Sequence, residues 1–329
     1  MISYNYCYMD SLPWIVKYRP PTLDDIISQE LIIKTLKIFF SSNDFPHLLF
    51  YGPSGTGKSS AILTGAKQIF GEITPYNVME LNASNDRGIK VVRQRIKTFA
   101  STHSQDKFKL IILDEADAIT EDAQSVLRQI MDNYSYNVKF CLICNYIRKI
   151  IPSIQSRTIC FRFVPLNNNQ MKNKIKEICK KENITITKRG LDLIIKISDG
   201  DMRKALNTLQ TISSIEKNID YVHINKVVNH PNEKIFDNVY DSILNDDFNT
   251  CINNTLNIKN TGITINDIFN EMFIRLLNDY NKNILTDSEF CNIMSNLRKI
   301  EDNNNIILKD SIQLIAMVSS IRRYKHLNR

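Results

Sequence analysis

Gly52-Pro53-Ser54-Gly55-Thr56-Gly57-Lys58-Ser59 spaces its glycines, lysine and hydroxyl as G-x-x-x-x-G-K-[ST]. In that pattern the glycines let backbone N–H groups curl around a polyphosphate. The lysine reaches the β- and γ-phosphates, and the hydroxyl ligates Mg²⁺. His47-Leu-Leu-Phe-Tyr51 upstream is apolar and short enough for a buried strand, and Ser60 to Ile69 downstream has helical spacing. A strand, a glycine-rich turn and a helix in succession form the context that the motif requires. Gly52 to Ser59, with Ser60 following, are therefore expected to hold the phosphates of a nucleoside triphosphate, ATP, with Ser59 on the metal.

A second apolar run, Lys109-Leu-Ile-Ile-Leu113, ends in Asp114-Glu115-Ala116-Asp117. A buried strand that delivers adjacent acids to its carboxyl end suits Mg²⁺-dependent phosphoanhydride hydrolysis. Asp114 would hold the metal, and Glu115 would orient and deprotonate the attacking water. Alone, the tetrapeptide could equally open a helix with an Asp cap. Val138-Lys-Phe-Cys-Leu-Ile-Cys144 is a third buried-strand pattern and ends at Asn145. That amide either reads the γ-phosphate or forms a turn. Arg157, before the strand-like Ile159 to Phe163, is either a surface charge or a finger that stabilises a transferring phosphoryl group. Arg203 opens a helical stretch, where a cation is unfavourable against the dipole unless a phosphate faces it. Together with a strand at Val78 to Ala83, the alternation of strand and helix predicts a parallel sheet covered by helices. The ligand then belongs at the carboxyl ends of the strands.

The chain has 329 residues, enough for two or three domains, with 43% hydrophobic and 23% charged residues. No apolar run approaches the ~20 residues of a membrane span, and the N-terminus lacks the plan of a secretion signal. Seven cysteines are scattered. Cys141 and Cys144 have the spacing of a metal pair, but no second pair completes four ligands, and buried reduced thiols are expected. Reduced thiols fit a cytosolic or nuclear compartment. A formal charge of +7 favours polyanionic partners or reflects a Lys/Asn/Ile-rich composition.

Trp14-Ile-Val-Lys-Tyr-Arg-Pro20, the segment Pro46 to Ser59, Glu80-Leu-Asn-Ala-Ser-Asn-Asp-Arg-Gly-Ile89, Leu110 to Asp117 and Ser156-Arg157 resemble the sequence boxes of replication factor C small subunits. These are AAA+ ATPases of the sliding-clamp loader. Phe99-Ala-Ser-Thr102, Leu142-Ile-Cys-Asn-Tyr146 and Gly200-Asp-Met-Arg-Lys-Ala-Leu-Asn207 are similar to one branch of those subunits. The resemblance covers residues 10 to 212 and thins beyond them. It implies that Ile15 and Arg19, with Ile27 nearby, surround the adenine, and that Asn145 and Arg203 sense the nucleotide. It implies that Arg157 acts in trans on ATP held by a neighbouring subunit. Arg93 and Lys149 fall where members contact the backbone of primer–template DNA. The segment from Ile96 to Phe108 falls near a clamp-touching element, with Phe99 as its apolar anchor. Implied partners are the other subunits of a heteropentamer, the sliding clamp and DNA, in the nucleus. Three positions depart from the family pattern: Ser54 for Pro, Thr158 for Cys, and Asn85 for a common Asp.

From Leu166 onward helical periods dominate. The resemblance implies an AAA+ parallel-sheet domain over 1–165, a helical lid over 166–231 and a helical collar over 232–329. In the lid, helices are read at Gln170 to Lys181, Arg189 to Ile197 and from Arg203, and the asparagines at 167–169 read as a linker. In the collar they are read at Glu233 to Leu244, Phe248 to Leu256, Ile263 to Tyr280, Ser288 to Glu301 and Ile306 to Tyr324. Ile268 to Leu277 carries apolar residues on more than one face, which fits either a self-contained core or a collar packed on neighbours. A D-E-A-D helicase would need a second motor domain and a Ser-Ala-Thr box, and neither is present. A subunit that binds nucleotide structurally, with little turnover, is the remaining alternative.

Overall fold

The computed structural model describes residues 12–41, 45–84, 89–102, 108–228, 233–260, 262–302 and 310–325. They fall into two compact units, Met1–Ile224 and Asn225–Arg329.

The first unit is built on five strands, β1 Leu48–Tyr51, β2 Val78–Asn82, β3 Lys109–Asp114, β4 Val138–Cys144 and β5 Ile159–Arg162, in the order β2-β3-β4-β1-β5. Every pairing in this sheet is parallel. Near-continuous apolar runs make this possible, because side chains alternate between two faces that are both covered. Leu48, Phe50, Leu110, Ile112, Cys141 and Ile143 point into one cluster. Their chain neighbours Leu49, Ile111, Leu113, Phe140, Leu142 and Cys144 point into the other.

Helices α1 Trp14–Lys17, α2 Glu30–Ser41, α3 Lys58–Phe70, α4 Ile89–Ser101, α5 Glu121–Tyr134 and α6 Pro152–Gln155 accompany the sheet. Ile33, Leu36 and Phe40 of α2 and Ala61, Ile62 and Ala66 of α3 fill the first cluster. Ile96, Phe99 and Ala100 of α4 and Leu127, Ile130 and Met131 of α5 fill the second. Complete burial of each large chain contributes roughly 1.5–3 kcal/mol. Phe99, expected as the apolar anchor of a clamp-touching segment, is a core residue of this chain, 7% exposed. The i, i+3/i+4 stripe that includes Ile96 and Ala100 turns it inward. Lys109, buried at the start of β3, donates to the Phe99 carbonyl at 2.9 Å.

The lid comprises α7 Asn168–Lys181, α8 Lys188–Ser198, α9 Met202–Ser213 and α10 Tyr221–Val228. A small parallel pair, β6 Thr185–Ile186 and β7 Asn218–Ile219, joins them and is too short to leave a period in the sequence. The asparagines at 167–169 are not a linker. Asn167 caps α7, its side chain accepting from the Asn169 N–H at 2.9 Å, which is the role a short polar side chain plays at a helix start.

The second unit consists of α11 Glu233–Asn245, α12 Phe248–Asn260, α13 Ile265–Asn281, α14 Asp287–Asp302 and α15 Asp310–Lys325. Phe236, Ile243, Ile268, Met272, Leu314 and Met317 lie in its core. Phe273 and Ile274 remain exposed on the second apolar face of α13.

Candidate active site

The phosphate loop leaves the carboxyl end of β1 and runs into α3, whose first residue is Lys58. Gly52 makes the turn with φ +138°, and a Cβ there would lie 2.1 Å from the Phe163 carbonyl oxygen. Only glycine tolerates both constraints. The unpaired N–H groups of the first turn of α3 face the loop and form an anion site. Lys58 Nζ donates to the carbonyls of Gly52 at 2.7 Å and Pro53 at 2.6 Å, and to Asn145 Oδ1 at 3.3 Å. Burial lowers the pKa of this lysine, Asp114 opposes the shift, and the charge of Arg203 adds to it.

β3 delivers the acids. Ser59 Oγ donates to Asp114 Oδ2 at 2.8 Å, and the Glu115 N–H donates to Asp114 Oδ1 at 2.9 Å. Glu115 sits in the left-handed region at φ 54°, a strained conformation for a long side chain and common at catalytic positions. Among the described residues no group of three or more His, Cys, Asp or Glu could enclose a metal. A hydroxyl and a carboxylate at the foot of a phosphate loop fit Mg²⁺ instead, an ion that keeps phosphate and water as its other ligands.

β4 ends at Asn145. Asp117 Oδ2 accepts from the backbone N–H of Asn145 and of Tyr146, each at 3.3 Å, and so fixes the amide beside Lys58. Asp117 was read only as a letter of the acidic tetrapeptide. Its signal would have been the distance to the strand end, which only the sheet order supplies. Asn82 is a second residue the sequence left unmarked. The register pairs it with Asp114 across β2 and β3, and its Nδ2 approaches Glu115 Oε1 at 3.4 Å.

Ser54, Gly55, Lys58, Ser59, Asp114, Glu115 and Asn145 line a cavity of about 190 Å³ that also takes in Ile15, Arg19, Ile27, Thr56, Gly57, Ser60 and Arg203, while Gly52, Pro53, Asn82 and Asp117 are not in its lining. Ile15, Ile26, Ile27, Leu166, Ile178 and Leu206 are apolar members of its lining, which suits the burial of a planar base. The lid residues Lys174, Ile178, Met202 and Leu206 also line it and carried no sequence signal of their own. The Trp14 N–H donates to Gln210 Oε1 at 2.9 Å and moors α1 to the lid helix α9.

Other singled-out residues lie elsewhere. Arg157 is outside the cavity, in the turn between α6 and β5, with its Nε 2.7 Å from Asp132 Oδ1 and one-third of its side chain exposed. Lys149 is exposed, with Nζ 5.5 Å from the centre of the Tyr146 ring. The side chain of Arg93, on α4, and the whole of Asn85 lie outside the described residues. Cys141 and Cys144 are free buried thiols. Burial raises both pKa values, that of Cys144 to about 12, and the two side chains pack into clusters on opposite faces of the sheet.

A five-stranded parallel sheet, a phosphate loop after β1 and an acid pair at the same edge after β3 define a P-loop ATPase. The family of ATPases associated with various cellular activities (AAA) matches residues 48–166, and an RFC1-like AAA+ ATPase lid domain matches residues 168–226. Replication factor C subunit 3 of Schizosaccharomyces pombe is 42% identical over 95% of this chain and 91% of that protein. Replication factor C subunit 5 of Mus musculus is 39% identical over 95% of this chain and 92% of that protein. The chain belongs to the replication factor C subunit family. In fold alone, it is similar to the Thermotoga maritima RuvB Holliday junction branch migration motor. That likeness has a TM-score of 0.53 at 15% identity and covers 71% of this chain and 83% of that one.

Proposed function

We propose that this chain is an ATPase subunit of a DNA clamp loader. It would use ATP binding and hydrolysis to place a sliding clamp on primer–template DNA, in the nucleus, within a heteropentamer of related subunits. One observation carries the reading. Lys58, Ser59, Asp114, Glu115 and Asn145 converge on a single cavity, while Arg157 stands outside it on an edge of the same unit.

At the site, the apolar lining would hold adenine, and Lys58 and the loop N–H groups would hold the β- and γ-phosphates. Glu115 would take a proton from the water that attacks the γ-phosphorus. The bond from that phosphorus to the β-bridging oxygen breaks, and ADP carries away the electron pair. Mg²⁺, held by Ser59 and through Asp114, would neutralise charge on the phosphate oxygens. Asn145 would hydrogen-bond the γ-phosphate, and Arg203 would meet it from the lid. Arg157 would serve the neighbouring subunit's ATP, and Arg93 and Lys149 would meet DNA phosphates without reading bases.

The test is an assembly reconstituted so that its only competent ATP site borders Arg157. Arg157→Ala is expected to lower turnover there by ~10³ or more, and unchanged turnover would reject the finger.

A further inference from the structure

The tip of the phosphate loop is tied directly to the start of the lid helix that carries Arg203. Ser54 Oγ donates to Asp201 Oδ2 at 2.5 Å. The other oxygen of the same carboxylate caps α9, accepting from the Lys204 N–H at 3.0 Å. The Met202 N–H donates to the Gly55 carbonyl at 3.3 Å. Gly55 makes the approach possible: at φ +64° a Cβ on it would lie 1.7 Å from Asp201 Oδ1. One carboxylate therefore joins two elements that both line the cavity, the loop from Ser54 to Ser60 and the lid residues Met202, Arg203 and Leu206.

We propose that the Ser54–Asp201 hydrogen bond is a clasp that holds α9 down on the phosphate loop and sets the rate at which nucleotide leaves. Ser54 and Asp201 act here as positioning residues. A polyphosphate under the loop departs only when the first turn of α9 lifts, and lifting it costs the charge-assisted hydrogen bond from Ser54. The Asp201 cap on Lys204 is independent of that bond, so the clasp opens without unwinding α9. The proposal rests on the reading of the cavity as an ATP site.

The experiment is stopped-flow release of a fluorescent N-methylanthraniloyl ADP from the full chain, comparing wild type with Ser54→Ala and Ser54→Thr. Ser54→Ala is expected to release the nucleotide roughly 3- to 10-fold faster, with little change in association rate, as the loss of one partly exposed charge-assisted bond implies. Ser54→Thr restores the hydroxyl and is expected to return release to near the wild-type rate. An unchanged release rate in Ser54→Ala would overturn the clasp, as would a Ser54→Thr rate equal to that of Ser54→Ala. A fall in association rate as large as the gain in release would place Ser54 on the phosphate itself, and that too defeats the proposal. Failure of wild type to bind the probe would defeat the ATP-site reading and the clasp with it, whereas normal binding with unchanged release defeats the clasp alone.

Discussion

Ser59 Oγ lies 2.8 Å from Asp114 Oδ2 although 55 residues separate them in the chain. The parallel sheet makes this contact: β1 and β3 flank β4, so the loop after one and the acids after the other leave the same edge. A hydroxyl and a carboxylate at that spacing would be the protein's share of the Mg²⁺–phosphate site proposed above.

Lys58 is buried and held by two loop carbonyls and the Asn145 amide. Lys58→Ala removes a side-chain cation buried against the loop and is expected to weaken ATP binding at least ~100-fold, about 2.7 kcal/mol. Titration of the isolated chain with a fluorescent ATP analogue measures this, and retained affinity would refute the assignment.

Glu115 is proposed as the base that takes the water's proton, and none of its hydrogen bonds described above holds the phosphate loop. Glu115→Gln keeps its size and its hydrogen bond to Asn82, so ATP binding is expected to persist while turnover falls ~10²- to 10⁴-fold. Single-turnover hydrolysis and equilibrium binding on the same preparation separate the two effects.

Gly52→Ala drives a methyl group into the Phe163 carbonyl at a φ that alanine avoids. The variant is expected to lose roughly 1–3 kcal/mol of stability and most nucleotide affinity, because β5 and the loop must part to admit it. Denaturant melts report the first effect and ATP titration the second.

Arg93 and Lys149 are assigned to DNA phosphates. Changing both to Ala in the assembled loader is expected to weaken primer–template binding evenly across sequences and to flatten the log–log salt slope by about 2. A sequence-dependent loss would point to base contacts instead.

His47 accepts the Phe140 N–H on its Nδ1 at 3.1 Å and packs edge-on against the Phe140 ring. Burial, then Lys139, lowers its pKa to about 4, with Asp132 opposing. The unfolded chain therefore binds this proton more readily than the folded one. Stability is complete above the ordinary histidine pKa and is lost as pH falls from there towards the folded value. Between about pH 7.5 and about pH 5 the loss is expected to reach about 2 kcal/mol. Chemical denaturation across that range checks it, and His47→Gln should remove this component.

Much of the sheet was legible because its three central strands, β1, β3 and β4, are near-continuous apolar runs followed by chemically distinct residues. Val138–Cys144 matches its sequence reading at both ends, and β3 gains only Asp114. Other boundaries shifted by a few residues where caps decide them: α9 starts at Met202 because Asp201 accepts from the Lys204 N–H. The burial of Phe99 was not legible because one apolar residue on a helix can face core or solvent, and only packing with β3 in the same cluster selects the face. Asn82 and Asp117 were invisible because their partners, Glu115 and the backbone of Asn145 and Tyr146, lie on other strands or beyond them.

By itself the sequence determined the chemistry, since the loop around Lys58 and the acids at Asp114 and Glu115 act through residue type and short-range spacing. It also determined the alternation of strand and helix, which hydrophobic periodicity encodes locally. Tertiary structure alone decided the strand order that brings Ser59 to Asp114, the inward turn of Phe99 and the bridge from Ser54 to Asp201. Those contacts join residues far apart in the chain, and the cost of closing such long loops is met by burial of the whole core, which no single segment records.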